Sequence, residues 1–460
     1  MNTSVAEQIK VAPIEKIKMK EKVGYATGDL ACNFIYATVS SYLLFFYTEV
    51  FGISAAAAGL MFLIVRMMDA VLDPVIGTMV DKTNTKYGRF RPYLLYGAVP
   101  FAVGAILCFT TPEFSDAGKI VYAYITYIFL SITYSTINIP YSALTSAITQ
   151  DNKEVVSLTS IRMLFGNGGE MIVAFGVPLL VAIFTQATGN TGTGWQITMS
   201  IMGISGAILL VVSFLNTKER VQISEEASKV GFKDIFTQLR VNRPLLIVCF
   251  FFLLNFGINS IINSVGIYYV TYNVARPDLV KWYGLMGTLP VLILMPFIPT
   301  LYKVLGKKKL LYTALSCKAI GLLALFIIPP SIVPLVFAGR LIAAVGTITA
   351  GAFTWALIPE TIDYGEYKTG KRASGVIYSL INFFFKFGMA IGGIVPGIML
   401  SKFGYVAHHA QTATALHGIL ITMTVVPAFF IIIELVAVYL YNLDEIEHKR
   451  VLSVINARRL

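Results

Sequence analysis

The chain is dominated by long apolar segments that are nearly free of charge, and this feature limits what it can fold into. Of its 460 residues, 56% are hydrophobic and 13% are charged, too few polar side chains to coat soluble domains of this total size. A helix needs about 20 apolar residues to cross the hydrocarbon core of a bilayer. We predict such helices at about 23–50, 54–80, 93–112, 118–148, 156–186, 195–216, 244–273, 282–304, 309–329, 332–357, 374–402 and 412–442. These runs are far longer than the roughly 10-residue strands of an outer-membrane barrel, so we predict an all-α integral membrane protein with 12 transmembrane helices.

The basic residues indicate how these helices are oriented. A formal net charge of +11 would suggest nucleic-acid binding in a soluble chain. Here 27 of the 36 Lys and Arg fall in segments on the side of the amino terminus, four fall on the other side, and five lie within the helices. Cytoplasmic loops carry the excess of Lys and Arg in membrane proteins. We therefore expect a multi-pass protein of the cell membrane, with both termini cytoplasmic, membrane lipid around it and no nucleic-acid partner.

A basic segment at 217–243 divides the predicted helices into two sets of six. We expect a cytoplasmic tail at 1–22, a six-helix bundle at 23–216, a cytoplasmic linker at 217–243, a second bundle at 244–442 and a tail at 443–460. Basic turns that contain glycine follow helix 2 and helix 8, the corresponding helices of the two halves. Paired six-helix repeats are the architecture of major facilitator transporters.

Charged side chains inside a membrane are costly and mark functional sites. Helix 2 carries Arg66, Asp69 and Asp73, which fall within an arc of about 60° at 100° per residue. Two carboxylates this close resist simultaneous ionisation unless a cation neutralises them, so the pair can bind and release H⁺ or Na⁺. The alternative is a structural ion-pair cluster that fastens helix 2 to its neighbours.

Two further helices carry polar stripes. On helix 11, Asn382 and Lys386 are one turn apart, which suggests a helix that lines an aqueous cavity; the alternative is a lysine that merely pairs with an acid of helix 1 or 2. On helix 4, Ser135, Asn138 and Ser142 share a face and suit a neutral sugar, although hydrogen bonding between helices explains them nearly as well.

Several motifs together resemble the glycoside-pentoside-hexuronide:cation symporters, relatives of the melibiose carrier within the major facilitator superfamily. The resemblance runs from about residue 24 to 440 and includes features of xyloside and glucuronide carriers. It rests on Gly24-Tyr25 with Gly28-Asp29, FFYTEVFGIS (45–54), RMMDAVLDPVIG (66–77), DKTNTKYGRFRP (81–92), NIPYSAL (138–144) and ETIDYGEYKTGKR (360–372).

The resemblance implies roles for individual residues. The expected cation-binding residues are Asp69, Asp73 and Ser135, where Ser135 stands in the place of a threonine of the melibiose carrier. The resemblance places Arg162 near the sugar and Lys386 between the two sites. Together with the polar stripes, it gives the expected substrate-binding set: Asn33, Asn138, Ser142, Arg162, Asn382 and Lys386. The loop motifs give the expected cytoplasmic gating residues: Gly77, Asp81, Gly88, Arg89, Arg91, Asp363 and Glu366.

Two departures from the melibiose carrier bear on specificity. Asn33 and Asn138 replace two aspartates that hold galactosyl hydroxyls there, which argues against a melibiose-like substrate and leaves a xyloside or an anionic glucuronide open. Leu72 replaces an asparagine that precedes the second aspartate in Na⁺-using relatives. Because a proton needs no such oxygen ligand, H⁺ is favoured as the coupling ion.

The leading hypothesis is a secondary active transporter, not an enzyme, that imports a glycoside with a cation by alternating access. It needs no cofactor beyond the coupling ion and no metal, and we expect a monomer. A lipid or lysolipid transporter of the same fold is a second hypothesis, which would require an apolar lateral opening. A non-transporting sensor on a transporter scaffold is the third, and it would require a signalling domain.

Overall fold

The apolar runs form helices throughout the computed structural model, which describes residues 17–149, 151–220, 232–370, 373–407, 409–443 and 445–459. Within these ranges, twelve helices are long and apolar enough to cross a membrane, which confirms the predicted number. The helices are Met19–Phe51, Ala55–Asp81, Arg91–Cys108, Asp116–Ile148, Asn152–Thr188, Thr191–Asn216, Arg243–Asn273, Pro277–Leu305, Lys307–Ile327, Val333–Ala356, Ser374–Lys402 and Ala413–Leu440. They are called helices 1 to 12. Apart from an isolated bridge between Thr85 and Gly88, the described residues contain no β-structure.

Short polar side chains fix where several helices begin. The side chains of Ser54, Ser115, Asn190, Asn242 and Thr412 each accept a hydrogen bond from a backbone N–H in the first turn of the helix that follows. Such caps satisfy backbone donors that have no partner within the helix. These five helices begin within about four residues of their predicted starts, and helix 12 begins one residue from its prediction.

Helices 1, 7 and 8 depart from regular geometry, and helix 12 is interrupted at Thr424. Helices 1 and 7 occupy equivalent positions in the two halves, and each ends in a π-helical segment, Phe46–Phe51 and Tyr269–Asn273. Helix 8 was predicted as one continuous helix but is broken into short pieces near Pro290, Pro296 and Pro299. Proline removes a backbone donor and clashes with the preceding turn, which explains these breaks.

The segments outside the membrane contain three more helices: Phe232–Val241, Ile358–Thr369 and Glu445–Arg459. The first lies inside the predicted linker, of which residues 221–231 are outside the described part, as are residues 1–16 of the predicted tail. Asn242 at the end of the linker donates to the carbonyl of Thr361 at 2.8 Å. His448 of the last helix lies 3.1 Å from a carboxylate oxygen of Asp363, so the carboxyl-terminal helix is fastened to the second half.

The two halves meet at one end of the bundle. We call the end where residues 17 and 459 lie the proximal end and the opposite end the distal end. At the distal end, Thr48 and Tyr268 share a hydrogen bond of 2.6 Å, and Phe175 and Trp282 pack with ring centroids 5.1 Å apart. A Cβ built on Gly59 would lie 3.2 Å from the Cα of Gly397, so helices 2 and 11 are in close backbone contact there. The bundle is closed at its distal end.

Candidate functional site

Helix 2 presents its charged residues to helix 4 and to the second half. The carboxylate of Asp69 is only 4% exposed, and a guanidinium nitrogen of Arg66 lies 3.7 Å from it. The spacing of three residues brings both side chains to the same face of the helix, as the sequence predicted. A buried carboxylate with an adjacent guanidinium can remain ionised inside a membrane.

The second carboxylate of helix 2 pairs with the other half of the protein. Asp73 forms an ion pair with Lys386 of helix 11, and both side chains are about one-fifth exposed. The other carboxylate oxygen of Asp73, Oδ1, is buried without a hydrogen-bond partner among the described residues. The alternative predicted for Lys386, a pair with an acid of helix 2, is therefore observed. This ion pair leaves the second carboxylate oxygen of Asp73 without a hydrogen-bond partner among the described residues.

Helix 4 contacts Asp69 through a residue that the sequence reasoning passed over. The hydroxyl of Ser131 lies 2.6 Å and 2.7 Å from the two carboxylate oxygens of Asp69, to which it donates. Ser135 is buried one turn away, and the described contacts include no hydrogen bond from it to either aspartate. Ser131 continues the stripe of Ser135, Asn138 and Ser142 at spacings of four, three and four, so this periodicity could have identified it.

A second polar cluster lies between helices 1 and 5. Arg162 Nε lies 3.4 Å from a carboxylate oxygen of Asp29, and Arg162 Nη1 donates to the hydroxyl of Tyr25 at 3.4 Å. Asn33, one turn beyond Asp29, donates to its backbone carbonyl at 2.9 Å. A Cβ on Gly166 would collide with Asp29 and lie 3.2 Å from the amide nitrogen of Asn33, so this glycine permits helix 5 to approach helix 1. The two predicted substrate residues, Asn33 and Arg162, are thus brought together around Asp29.

Tyrosines connect Asn138 of helix 4 with the charged residues of helix 2. Asn138 donates to the hydroxyl of Tyr134 at 3.1 Å, and the rings of Tyr134 and Tyr36 stack with centroids 5.9 Å apart. The guanidinium of Arg66 lies 6.0 Å from the centroid of the Tyr36 ring. The hydroxyl of Tyr36 donates to the sulfur of Met389 on helix 11 at 3.1 Å. Asn138, the two tyrosines and Arg66 with Asp69 therefore form one chain of contacts, which reaches helix 11 of the second half through Met389.

The proximal side of this set is open. Ser142 and Asn382 are exposed, as is Tyr378, which lies one turn before Asn382 on the stripe that ends at Lys386. Because Lys386 on this stripe reaches Asp73 across the interface, the exposed part of the stripe faces the space between the halves. The structure thus brings Asn33 and Arg162 together around Asp29, pairs Lys386 with Asp73 and places Asn138 beside Tyr134. Ser142 and Asn382 lie toward the opening.

The loop between helices 2 and 3 is held by an acidic residue that the sequence reasoning did not identify. Glu219, which follows helix 6, accepts backbone N–H bonds from Arg89, Phe90 and Arg91 at 2.8–2.9 Å. Gly88 has a φ of +103° and its missing Cβ leaves room for Glu219, which explains why a glycine stands there. The guanidinium of Arg91 donates to the carbonyl of Phe214 at 2.7 Å.

The remaining motif residues lie at the proximal end. Gly77 has open space where a side chain would project, and Asp81 ends helix 2, with its side chain outside the described part. Asp363 and Glu366 lie on the helix Ile358–Thr369, and Asp363 binds the carboxyl-terminal helix. On the same helix, Glu360 accepts from Tyr441 at 3.1 Å. Burial raises the pKa of Tyr441 well above its usual value, and Glu360 acts in the same direction.

Two six-helix halves around a charged, hydroxyl-rich centre define a membrane transporter of the major facilitator type. The chain belongs to the family described as "MFS/sugar transport protein", whose model matches residues 24–445. This confirms the resemblance to glycoside-pentoside-hexuronide:cation symporters and identifies a sugar transporter rather than an enzyme.

Individual relatives cover nearly the whole chain. It is 62% identical over 445 residues to the uncharacterized symporter YnaJ of Bacillus subtilis (strain 168), covering 97% of this chain and 96% of that one. It is 36% identical over 436 residues to the isoprimeverose transporter of Lactiplantibacillus pentosus, covering 94% and 90%. Among solved structures, an inward-facing bacterial homolog of the human lysosomal transporter Spinster matches with a TM-score of 0.65 at 14% identity, covering 92% and 95%. That likeness supports the fold alone.

Proposed function

We propose that the chain imports a glycoside, pentoside (xyloside) or glucuronide into the cell by symport with a cation, most simply H⁺. The observation that carries this proposal is the pair of carboxylates on helix 2, one fastened within its own half and the other paired across the interface to Lys386. Relatives named as symporters and as an isoprimeverose transporter support the substrate class.

The closed distal end and the open proximal end correspond to one state of an alternating-access cycle. With the orientation expected from the basic residues, the proximal end faces the cytoplasm, in a cell membrane with both termini inside. The chain is then inward-open, the state from which sugar and cation leave. Of the cytoplasmic motif residues, Arg89 belongs to the first half and Asp363 to the second. Each would contact the opposite half only in the outward-open state.

Coupling follows from the competition for Asp73. Lys386 occupies one oxygen of this carboxylate in the inward-open state, and the second oxygen is free. A cation that binds between Asp69 and Asp73 weakens the hold on Lys386 and releases the tie between the two halves. The sugar, bound at Asn33, Asn138 and Arg162, and the cation then favour the same rearrangement.

Proton coupling needs fewer ligands than Na⁺ coupling. The hydroxyl of Ser131 already donates to Asp69, and Leu72 offers no oxygen. Hard cations require several oxygen ligands, whereas a proton requires a single carboxylate oxygen such as Asp73 Oδ1. One charge that moves down about 100 mV supplies about 2.3 kcal/mol, enough for roughly fifty-fold accumulation of a neutral sugar.

The test is uptake of radiolabelled isoprimeverose, a xyloside or a glucuronide into membrane vesicles under imposed pH or Na⁺ gradients. We expect a pH gradient to drive accumulation and Asp73→Cys to leave only equilibration. The matched control is Asp278→Cys, an exposed carboxylate in the first turn of helix 8 that is paired with Arg276. Concentrative uptake that survives Asp73→Cys would exclude Asp73 from coupling.

A further inference from the structure

The cluster between helices 1 and 5 contains two carboxylates that neither the sequence analysis nor the family match connects with a substrate. Asp29 is 17% exposed and lies beside Arg162, and no hydrogen bond to its side-chain oxygens is among the described contacts. Glu170 is half-buried on helix 5 and, within the described residues, has neither an ion pair nor a hydrogen bond. It is close enough to Asp29 and to Tyr36 for electrostatic interaction.

Helix geometry places these groups on one surface. Arg162, Gly166 and Glu170 are spaced four residues apart and therefore lie along one face of helix 5. Gly166, in the middle of that face, contacts Asp29 and Asn33 of helix 1. Arg162 and Glu170 consequently lie on either side of the point where helix 1 comes closest. In addition, the Nε of Arg162 is buried without a hydrogen-bond partner among the described residues.

The charges of this region do not leave a cation free. Arg66 faces Asp69, Lys386 faces Asp73, and Arg162 faces Asp29, so each base has its own acid. Glu170 is then an additional acid. Lys318 and Arg340 are bases in the interior of membrane helices of the second half. Lys318 is fully buried and donates to Asn255, and the guanidinium of Arg340 is packed over the ring of Tyr283.

We propose that Asp29 and Glu170 bind hydroxyl groups of the substrate together with Arg162, and that this site accepts uncharged glycosides and rejects glucuronides. The inference rests on the proposed function and narrows its substrate class. A carboxylate whose oxygens accept no hydrogen bond, beside a guanidinium, suits sugar hydroxyls, which donate to the first and accept from the second. The carboxylate of a glucuronide would instead meet two acidic side chains and a guanidinium that already faces one of them.

The first test needs no variant. Binding to the purified protein is measured by competition with labelled isoprimeverose for three ligands: p-nitrophenyl β-D-xyloside, p-nitrophenyl β-D-glucuronide and the amide of the glucuronide. The last two differ only in charge. We expect the amide to compete at least about ten-fold better than the glucuronide. Equal competition by the two, or better competition by the glucuronide, would overturn the proposal.

The second test assigns the effect to the two carboxylates. In Asp29→Asn we expect about a ten- to hundred-fold weaker binding of the xyloside, because a charge-assisted hydrogen bond is lost. In the double variant Asp29→Asn with Glu170→Gln, Arg162 has no acid partner, so the preference for the amide over the glucuronide should disappear or reverse. Asp278→Asn makes the same chemical change at the exposed start of helix 8 and should alter neither quantity.

The outcomes separate this inference from the proposed function. If the unmodified protein takes up a glucuronide as well as a xyloside, or if the double variant retains the preference for the amide, the charge selection is wrong and glycoside symport stands. If the unmodified protein takes up no glycoside under any gradient, the proposed function fails and the inference fails with it. Thermal unfolding of each variant shows whether it is folded, and the first test holds whatever the variants do.

Discussion

We expect two hydrogen bonds across the distal end to determine the fraction of molecules that is closed at that end. Tyr272, at the end of helix 7, donates to the carboxylate of Glu49, at the end of helix 1, and Thr48 pairs with Tyr268 at 2.6 Å. Glu49 is 7% exposed and Thr48 is 2% exposed, so water competes little for either bond. The first bond joins the π-helical ends of the two equivalent helices, where irregular backbone is often associated with function. In the second bond, Tyr268 immediately precedes the π-helical segment of helix 7.

The effect of breaking these bonds can be estimated. A hydrogen bond to a charged group contributes about 1.5–3 kcal/mol and a neutral one about 1 kcal/mol. If the bonds exist only in the distally closed state, Tyr272→Phe shifts the ratio of open to closed molecules about 10- to 150-fold, and Thr48→Val shifts it about five-fold. The shift also disfavours the proximally open state, so in the proposed orientation release of sugar into the cytoplasm should slow.

The assay uses a cysteine at Ser40, which lines a small cavity between the halves together with Phe62, Arg66 and Ser260. The cavity holds about 30 Å³, room for one or two water molecules but not for a maleimide. The Ser40→Cys reporter should therefore react with a membrane-impermeant maleimide only when the distal end opens. The half-exposed native Cys317 is first replaced by serine.

In this background, Tyr272→Phe should raise the labelling rate of the reporter at least about ten-fold. Tyr439→Phe removes the same hydroxyl from a side chain that is 72% exposed on the outside of the bundle, and it should leave the rate unchanged. The reasoning is refuted if Tyr272→Phe has no effect on labelling, or if Tyr439→Phe has an effect as large.

Three further predictions concern the site and the loop beside it. Ser131→Ala should lower the apparent affinity for the coupling ion about ten-fold in uptake assays, because the buried carboxylate of helix 2 loses its hydroxyl donor, whereas Ser135→Ala should change it less than about three-fold. Gly166→Ala should weaken glycoside binding several-fold, because its Cβ collides with a carboxylate of helix 1, and Gly168→Ala, whose Cβ has nothing within 4 Å, should not. Glu219→Gln should lower the free energy of unfolding by about 2 kcal/mol in thermal or denaturant melts, since the carboxylate accepts three backbone N–H bonds.

The sequence predicted the helices well because length and hydropathy are local properties. It predicted helix 8 as continuous because the same measure takes no account of what prolines do to backbone hydrogen bonds, although Pro290, Pro296 and Pro299 are visible in the sequence. The face of helix 2 followed from periodicity, and Ser131 would have followed from it too. No local pattern indicates that Glu219 binds a loop about 130 residues earlier, since that contact exists only once helix 6 packs beside helix 3.

The two ion pairs of helix 2 differ in a way that bears on the proposed coupling between cation and sugar. Arg66 and Asp69 belong to the same helix, so their separation of 3.7 Å does not depend on how the halves are arranged. Asp73 and Lys386 belong to opposite halves, and helices 2 and 11 are in contact along their distal parts. When the halves rock, the first pair is carried along intact, whereas the second is strained or broken. A buried lysine or aspartate left without its partner is costly by about 3–5 kcal/mol, so the empty carrier resists this movement until a cation or sugar supplies a new partner.

Neutralising both members, as in Asp73→Asn with Lys386→Met, removes that resistance. The double variant should exchange glycoside across the membrane without accumulating it, whereas either single change should slow exchange as well.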